Sequence, residues 1–436
     1  MTVLTIAALL QQSEYDSKYF NEWYARHQHD TSVIEPEKKT LKLKLLVLLL
    51  KILFFLPVLV RVQLILAVLS VGENLVRESL YAAARLKLWW LKRQGLKIVA
   101  IAGSYGKTST KQIMEQLLAQ QLRVLATPQS INTPLGIARV VLQQLQPQHQ
   151  LFIVELGEYY PGDIQKLAQF IQPDFGVVTP VGRQHLERMA DLQTIAATVG
   201  ELAEYVGNSQ QVLISIENRE FFDNSRWNFY GQSHAASYYF QNGVVTRKGT
   251  EAKIVTPQHT FEMYTPLFGE HQISNILPAV WLAQQLGLDG EKIVKGSATL
   301  QAVSRRHEPM FLENRVLVLD NSYNTNPESV QASFKLFSQL EATHKIMLTL
   351  GFVELGPESQ KIHTEFGRQL AQVVDYLGLI DSPQAIWIMN GFIAAGGREA
   401  AVTLGTTYED ILQQMQSVIL PGSVIILEGG YKELYT

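Results

Sequence analysis

Apolar residues are distributed along the chain in two distinct ways. From Leu45 to Val71 they are almost continuous, with Lys51 and Arg61 as the only charges and Pro57 as the only helix breaker. A bilayer crossing needs about 20 apolar residues, so this run is long enough for one. Beyond residue 95 the apolar residues instead come in short clusters of strand length, set between glycines, polar turns and stretches of helical period. Ile98–Ala102 reads as a buried parallel strand, residues 151–157 as a second buried strand ending in an acid, and residues 175–179 as another. Ile113, Leu117 and Leu118 repeat at helical spacing between the first two. Further on, Val316–Leu319, Ile346–Leu350, Ala385–Met389 and Val424–Leu427 are predicted strands with helices between them.

The alternation predicts an α/β protein in three parts. Residues 1–94 form a helical, membrane-associated region. Residues 95–303 form a central α/β domain around a mostly parallel sheet. Residues 304–436 form a smaller, Rossmann-like α/β domain. A length of 436 residues agrees with more than one core. With 47% hydrophobic and 18% charged residues, a folded chain is expected. The net charge of -3 gives no bulk attraction to nucleic acid. Cysteine is absent, which excludes disulfides, a thiolate nucleophile and Cys-bound zinc.

Charges around the long apolar run bear on its topology. Lys42 and Lys44 precede it, and Arg77, Arg85, Lys87, Lys92 and Arg93 follow it. Positive residues favour the cytoplasmic side, so basic flanks at both ends favour a shallow hairpin turning near Pro57 to Arg61. A single crossing helix, or a buried helix pair in a soluble domain, are the alternatives. The run Leu86 to Trp90, with Lys92 and Arg93, reads as an interfacial helix with a basic face. The expected location is the cytoplasmic face of the membrane, attached through residues 45–71.

The clearest chemical signal follows the first strand. Gly103-Ser104-Tyr105-Gly106-Lys107-Thr108-Ser109-Thr110 lies directly between that strand and the first helical stretch. Glycines let the backbone approach phosphate, and free N–H groups at a helix start point at it. Lys107 suits the β- and γ-phosphates of a nucleotide, and the Thr108 hydroxyl suits magnesium. The full P-loop pattern needs a glycine where Ile101 stands, so only the shorter form is present. The strand at 151 ends in Glu155, which an open parallel sheet would bring to the ligand crevice as an oxygen donor for Mg2+. His185 follows the third strand after a short turn and is a further candidate.

Several short strings then fall in one order: Gly103 to Thr110, Asn132-Thr133-Pro134-Leu135-Gly136, Glu155-Leu156-Gly157 with Gly162-Asp163-Ile164, and His185-Leu186-Glu187. After them come Gly269-Glu270-His271 with Asn275, Arg306, and Asp320-Asn321-Ser322-Tyr323-Asn324-Thr325-Asn326-Pro327. In this order the chain resembles the Mur ligases from residue 95 to about residue 400. The Ser322 to Pro327 string, and Glu354-Leu355-Gly356 with His363, are most similar to the branch that adds D-alanyl-D-alanine.

The resemblance implies an ATP-dependent carboxylate–amine ligase working through an acyl phosphate. Its acceptor would be a muramyl-peptide precursor of the cell wall, and its donor D-alanyl-D-alanine or a related amine. ATP would be held by Gly103, Ser104, Gly106, Lys107, Thr108 and Ser109, with Asn275 at the adenine, Arg306 near the phosphates and Asp320 near the ribose. Lys107, Glu155 and His185 would serve catalysis, and Thr108, Glu155 and His185 would hold Mg2+. Asn132, Thr133, Asn324 and Asn326 would face substrate or close over it. The alternatives are another amide ligase of the superfamily or a weakly active nucleotide-binding scaffold.

Four features depart from the family pattern. Val199 stands where many members carry a lysine modified to a carbamate, and no lysine occurs between Lys166 and Lys248. A membrane-like segment replaces the N-terminal domain that grips the uridine-sugar end, which makes a lipid-linked acceptor an alternative. Asn321 follows Asp320 where an acid is common, and Glu428 precedes Gly429 where a lysine is common.

Overall fold

The computed structural model describes residues 58–182, 189, 191–223, 225–323, 325–353 and 355–429, with side chains from residue 74 onward. The chain divides into two compact units, one ending at Ala84 and the other starting at Arg85. Helix α1, Val58–Arg93, carries the chain from the first to the second. Residues 45–57 of the long apolar run lie outside the described residues. Residues 58–61 are helical, so the hairpin turn expected near Pro57 to Arg61 does not fall among them. Among the described residues no helix is long and apolar enough to cross a membrane.

The end of α1 shows two faces. Leu88 and Leu91 are buried, whereas Leu86, Trp89 and Trp90 are exposed. Lys92 pairs with Asp174 at 3.3 Å, and the Arg93 guanidinium stacks 4.2 Å above the Trp89 ring. The expected interfacial stretch is thus the last turns of a longer helix, anchored by one face and presenting aromatics on the other.

The first sheet has nine strands in the order β2-β3-β1-β4-β5-β6-β7-β8-β9. Strands β1 (Lys97–Ala102), β3 (Leu151–Glu155) and β4 (Phe175–Val178) form its centre, with β2 (Val124–Ala126) at the edge. Their apolar runs are buried on both faces, as parallel strands covered by helices must be. Strand order reverses at β1, which pairs in parallel with β3 on one side and β4 on the other. The register sets Ile101 opposite Glu155 and Ala102 opposite Val178, so the carboxyl ends of all three strands open on one crevice. Helices α2 (Lys107–Leu118), α3 (Pro134–Gln143), α4 (Asp163–Ile171) and α5 (Leu192–Val206) follow these strands. Strands β5 (Val212–Ser215) and β6 (Asn228–Gly231) extend the parallel part. An antiparallel meander, β7 (Tyr238–Thr246), β8 (Gly249–Val255) and β9 (Thr260–Thr265), completes the sheet. Helix α6 (Glu270–Gln285) packs on α2, and its Trp281 lies fully buried, edge-on to Phe175 at 5.9 Å. A short α7 (Gly290–Gly296) follows it.

The second sheet has six strands in the order β10-β11-β15-β12-β13-β14. These are β10 (Glu308–Phe311), β11 (Leu317–Asn321), β12 (Lys345–Thr349), β13 (Tyr376–Ile380), β14 (Val402–Gly405) and β15 (Val424–Glu428); only β10 is antiparallel. Helices α8 (Val330–Gln339), α9 (Ser359–Val373) and α10 (Pro383–Ala394) cover one face and α11 (Tyr408–Gln414) the other. Ala385–Met389, read from sequence as a strand, belongs instead to α10. Pro383 pre-sets the first helical turn, and an unbroken apolar run carries no period to tell a buried helix from a strand. α9 and α10 touch through glycines: a Cβ on Gly367 would lie 2.0 Å from the Ile388 carbonyl, and one on Gly391 2.0 Å from that of Thr364.

Polar ties join the lobes of the two sheets. Arg247, in the β7–β8 turn, donates to the carbonyls of Glu341 at 3.2 Å, Gly422 at 3.0 Å and Arg315. Lys335 of α8 forms an ion pair with Glu270, which also accepts from Gln339 at 2.8 Å.

Candidate active site

The turn after β1 is shaped by what lies behind it. Gly103 has φ +139°, and a Cβ there would meet the Thr179 side-chain oxygen at 2.1 Å and its carbonyl at 2.7 Å. Only glycine lets the two strand ends approach this closely. The Thr179 hydroxyl in turn donates to the Tyr105 carbonyl at 2.7 Å. Gly106, at φ 81°, caps α2 without a side-chain hydrogen bond, so the first N–H groups of that helix face the crevice.

Lys107 opens α2 and folds back over the loop. Its ammonium donates to the Gly103 carbonyl and to the Ser104 carbonyl at 3.3 Å, and pairs with Glu158 at 3.0 Å. Thr108 donates from Oγ1 to Glu155 Oε2 at 2.9 Å. The same oxygen accepts from Lys111 at 2.9 Å, in an ion pair almost wholly out of water. Burial pushes the Lys111 pKa down while Glu155 pulls it up. Asn132 donates weakly to Glu155 Oε1 at 3.4 Å.

Arg306 approaches from the other side. Residues 305 and 307 on either side of it are non-glycine residues in the left-handed region, with φ 58° and 53°. Such backbone is held only where the surroundings enforce it. Arg306 is half-buried, its guanidinium lies 4.8 Å from the Tyr323 ring centroid, and it senses the Glu155 carboxylate.

These groups line one cleft of ≈ 1000 Å³ between the two sheets. The structure brings Ser104, Gly106, Lys107, Thr108 and Ser109 to it, together with Asn132, Glu155, Asn275, Arg306 and Asn326. Asn275 accepts from Thr110 at 3.2 Å and donates to Gln272 at 3.2 Å. Three expected residues are not part of the lining. Gly103 contributes only its carbonyl, to Lys107. Thr133 is the N-cap of α3, accepting from Gly136 at 3.3 Å. Asp320 accepts from the Ser322 amide at 2.9 Å, while its neighbour Asn321 faces the cleft. His185, Asn324 and Glu354 lie outside the described residues. Val199, fully buried on α5, is not among the described residues that line the cleft.

Some groups in the cleft escape a reading of the sequence. Glu158 is one, buried three residues past Glu155. A second set runs through the C-terminal lobe. Glu428, at the end of β15 and fully buried, accepts from Asn321 at 2.8 Å, from Thr325 and from Ser333. Ser333 lies 2.8 Å from His307 Nε2, and the His307 ring sits 4.8 Å from that of His271. Burial raises Glu428 to about 7 and lowers His271 to about 4, with His307 also held well below its usual value. In the sequence, Glu428 and Asn321 stood out only as departures from the family pattern, and nothing tied them to His271 and His307.

The chain is similar to known proteins. Residues 101–283 match the Mur ligase middle domain, and residues 305–430 match the Mur ligase glutamate ligase domain. Together the two cover most of the chain, which belongs to the Mur ligase family. Within it, the chain is 28% identical over 306 residues to the UDP-N-acetylmuramoyl-tripeptide–D-alanyl-D-alanine ligase of Escherichia coli, covering 69% of this chain and 67% of that protein. With the Bacillus subtilis ligase of the same name it shares 26% over 362 residues, covering 81% and 77%. Among solved structures, MurF from Acinetobacter baumannii superposes with a TM-score of 0.71 at 22% identity, over 82% of this chain and 78% of that one. The MurF ligase of Thermotoga maritima in complex with ADP gives 0.71 at 23%, over 81% and 80%.

Proposed function

We propose that this chain is an ATP-dependent ligase that joins D-alanyl-D-alanine to the free carboxylate of a muramyl-tripeptide cell-wall precursor. The observation that carries the reading is the crevice at the β1 switch point, where Lys107 and Thr108 open a helix against the buried carboxylate of Glu155. The relatives named for that reaction support it.

The residues suit the steps. The precursor's carboxylate attacks the γ-phosphorus of ATP, giving an acyl phosphate and ADP. The amine of the dipeptide then attacks the acyl carbon, and inorganic phosphate leaves with the loss of a proton. Lys107 offsets charge on the phosphoryl group being moved, and the N–H groups at the start of α2 orient the phosphates. Arg306, held between two strained residues, presents a fixed positive charge to the same space. Asn132 and Asn326 offer amide groups on opposite walls. The two lobes exclude water from the acyl phosphate, which would otherwise hydrolyse.

Mg2+ would screen the phosphate charge and polarise the transferred group. The donors present fit a hard cation: the Thr108 hydroxyl and the Glu155 carboxylate lie 2.9 Å apart, and Glu158 Oε2 is buried without a partner. Among the described residues no three His, Cys, Asp or Glu cluster closely enough to hold a metal alone. The ion would therefore complete its shell with phosphate oxygens and water, as magnesium does in nucleotide sites.

The reading extends to attachment at the cytoplasmic face of a membrane through residues 45–71. That part rests on the apolar run, its basic flanks and the exposed Trp89 and Trp90. The test of the central claim is Lys107→Ala, assayed for phosphate release with muramyl-tripeptide and D-alanyl-D-alanine. Turnover should vanish while the circular dichroism spectrum is unchanged. Wild-type turnover in the variant would refute the assignment.

A further inference from the structure

Glu158 is anomalous in the cleft. Its side chain is only 2% exposed, yet Oε2 has no hydrogen-bond partner. The other oxygen is paired with Lys107 at 3.0 Å. An unsatisfied oxygen on a buried carboxylate is unfavourable. Burial pushes the Glu158 pKa up, Lys107 and then the residue's own backbone N–H pull it down, and Glu155 adds a smaller upward push. The two carboxylates therefore sense one another across the crevice that also holds Thr108.

Glu158 cannot be only a counter-ion for Lys107 once a nucleotide is bound. Lys107 is the one side-chain cation in the loop from Gly103 to Thr110, and polyphosphate would draw it away. Glu158 would then face phosphate oxygens with both of its own oxygens bare. Like charges a few ångströms apart in a site shielded from water repel strongly. A divalent cation between carboxylate and phosphate turns this repulsion into attraction. It also gives Oε2 the partner it lacks.

We propose that Glu158 is a ligand for the divalent cation that accompanies the nucleotide, exchanging its pairing with Lys107 for the metal when phosphate arrives. The proposal rests on the ATP-binding reading and adds a third oxygen donor beside Thr108 and Glu155. In the empty cleft the Lys107–Glu158 pair holds both groups in place. In the loaded cleft each turns to a ligand of opposite charge.

The experiment is a titration of Mn2+ into the full-length protein saturated with ADP, followed by the loss of the free-ion electron paramagnetic resonance signal. ADP affinity is measured in parallel, by calorimetry in EDTA. Glu158→Gln should weaken Mn2+ binding roughly 10- to 100-fold. Metal-free ADP affinity should stay the same or rise, because Lys107 is freed. Glu158→Asp, which keeps the charge on a shorter arm, should fall between Gln and wild type. Mn2+ affinity within about twofold of wild type in Glu158→Gln, with ADP still bound, would overturn the role of Glu158 alone. No ADP binding by the wild type in either condition would overturn the ATP reading and this proposal together.

Discussion

Replacing Glu428 by Gln should change how stability depends on pH. The carboxyl sits at the end of β15 with no exposure, and burial lifts its pKa from 4.5 to about 7 against the opposing hydrogen bonds from Ser333, Thr325 and Asn321. A raised acid binds its proton more tightly in the folded than in the unfolded chain. From about pH 4.5 to pH 7 the folded state therefore holds more protons, and rising pH lowers stability. At 1.36 kcal/mol per pKa unit, the wild type loses about 3 kcal/mol across that window. His271 and His307 act in the opposite sense. Their folded pKa values are depressed, so the stability they contribute is lost as pH falls below the unfolded value of 6.5. The raw profile of the wild type mixes both trends, but the difference between Glu428→Gln and wild type isolates the carboxyl. That difference should grow in favour of the variant from about pH 5 to pH 8, by about 3 kcal/mol. At roughly 2–4 °C per kcal/mol for a domain of this size, the melting temperatures should separate by roughly 6–12 °C. Differential scanning fluorimetry at half-unit steps of pH reads this directly. A separation that stays constant from about pH 5 to pH 8.5 would show that Glu428 does not titrate there and would refute the argument.

Lys111→Met leaves Glu155 buried beside Thr108 without its cation, and should destabilise the chain by about 3–5 kcal/mol in urea unfolding. A loss below about 1 kcal/mol would mean that the pair behaves like an exposed one. The full chain should be recovered from the membrane fraction of cells. Its purification as a soluble monomer without detergent would remove the proposed attachment.

The parallel strands β1, β3 and β4 were legible because each is a short apolar run, ended at the crevice by Gly103, Glu155 and Thr179 respectively. The meander β7–β9 gives no such signal: its burial alternates, and charged residues such as Lys253 and Glu262 sit on its open face. Strands β13 and β14 were missed for a related reason. Tyr376–Ile380 is a plain apolar stretch, and Val402–Gly405 is a half-exposed edge strand with only one buried residue. Ala385–Met389 was misread because hydrophobicity without period does not choose between helix and strand. Lys107, Thr108 and Glu155 could be placed from sequence, since a strand end followed by a glycine turn defines where their side chains go. Glu158 could not. Three residues past a strand, an acid reads as a solvated loop, and only packing reveals that water is excluded from it. Asp320 and Thr133 are polar groups of a motif whose side chains are taken up by nearby backbone N–H groups, which the sequence does not show.

Arg247 has a consequence for how the molecule opens. One guanidinium at the tip of the β7–β8 turn holds carbonyls from three separate segments, at Arg315, Glu341 and Gly422. Those contacts share one side chain, so a movement that carries the turn away from the other lobe breaks all three together. Separation of the lobes then requires this side chain to let go together with the Lys335–Glu270 pair, rather than a gradual yielding along the cleft. Product that leaves only through a parted cleft would depart at the pace of that fastening. The speed of the whole cycle would then be adjustable at a residue that touches neither nucleotide nor peptide.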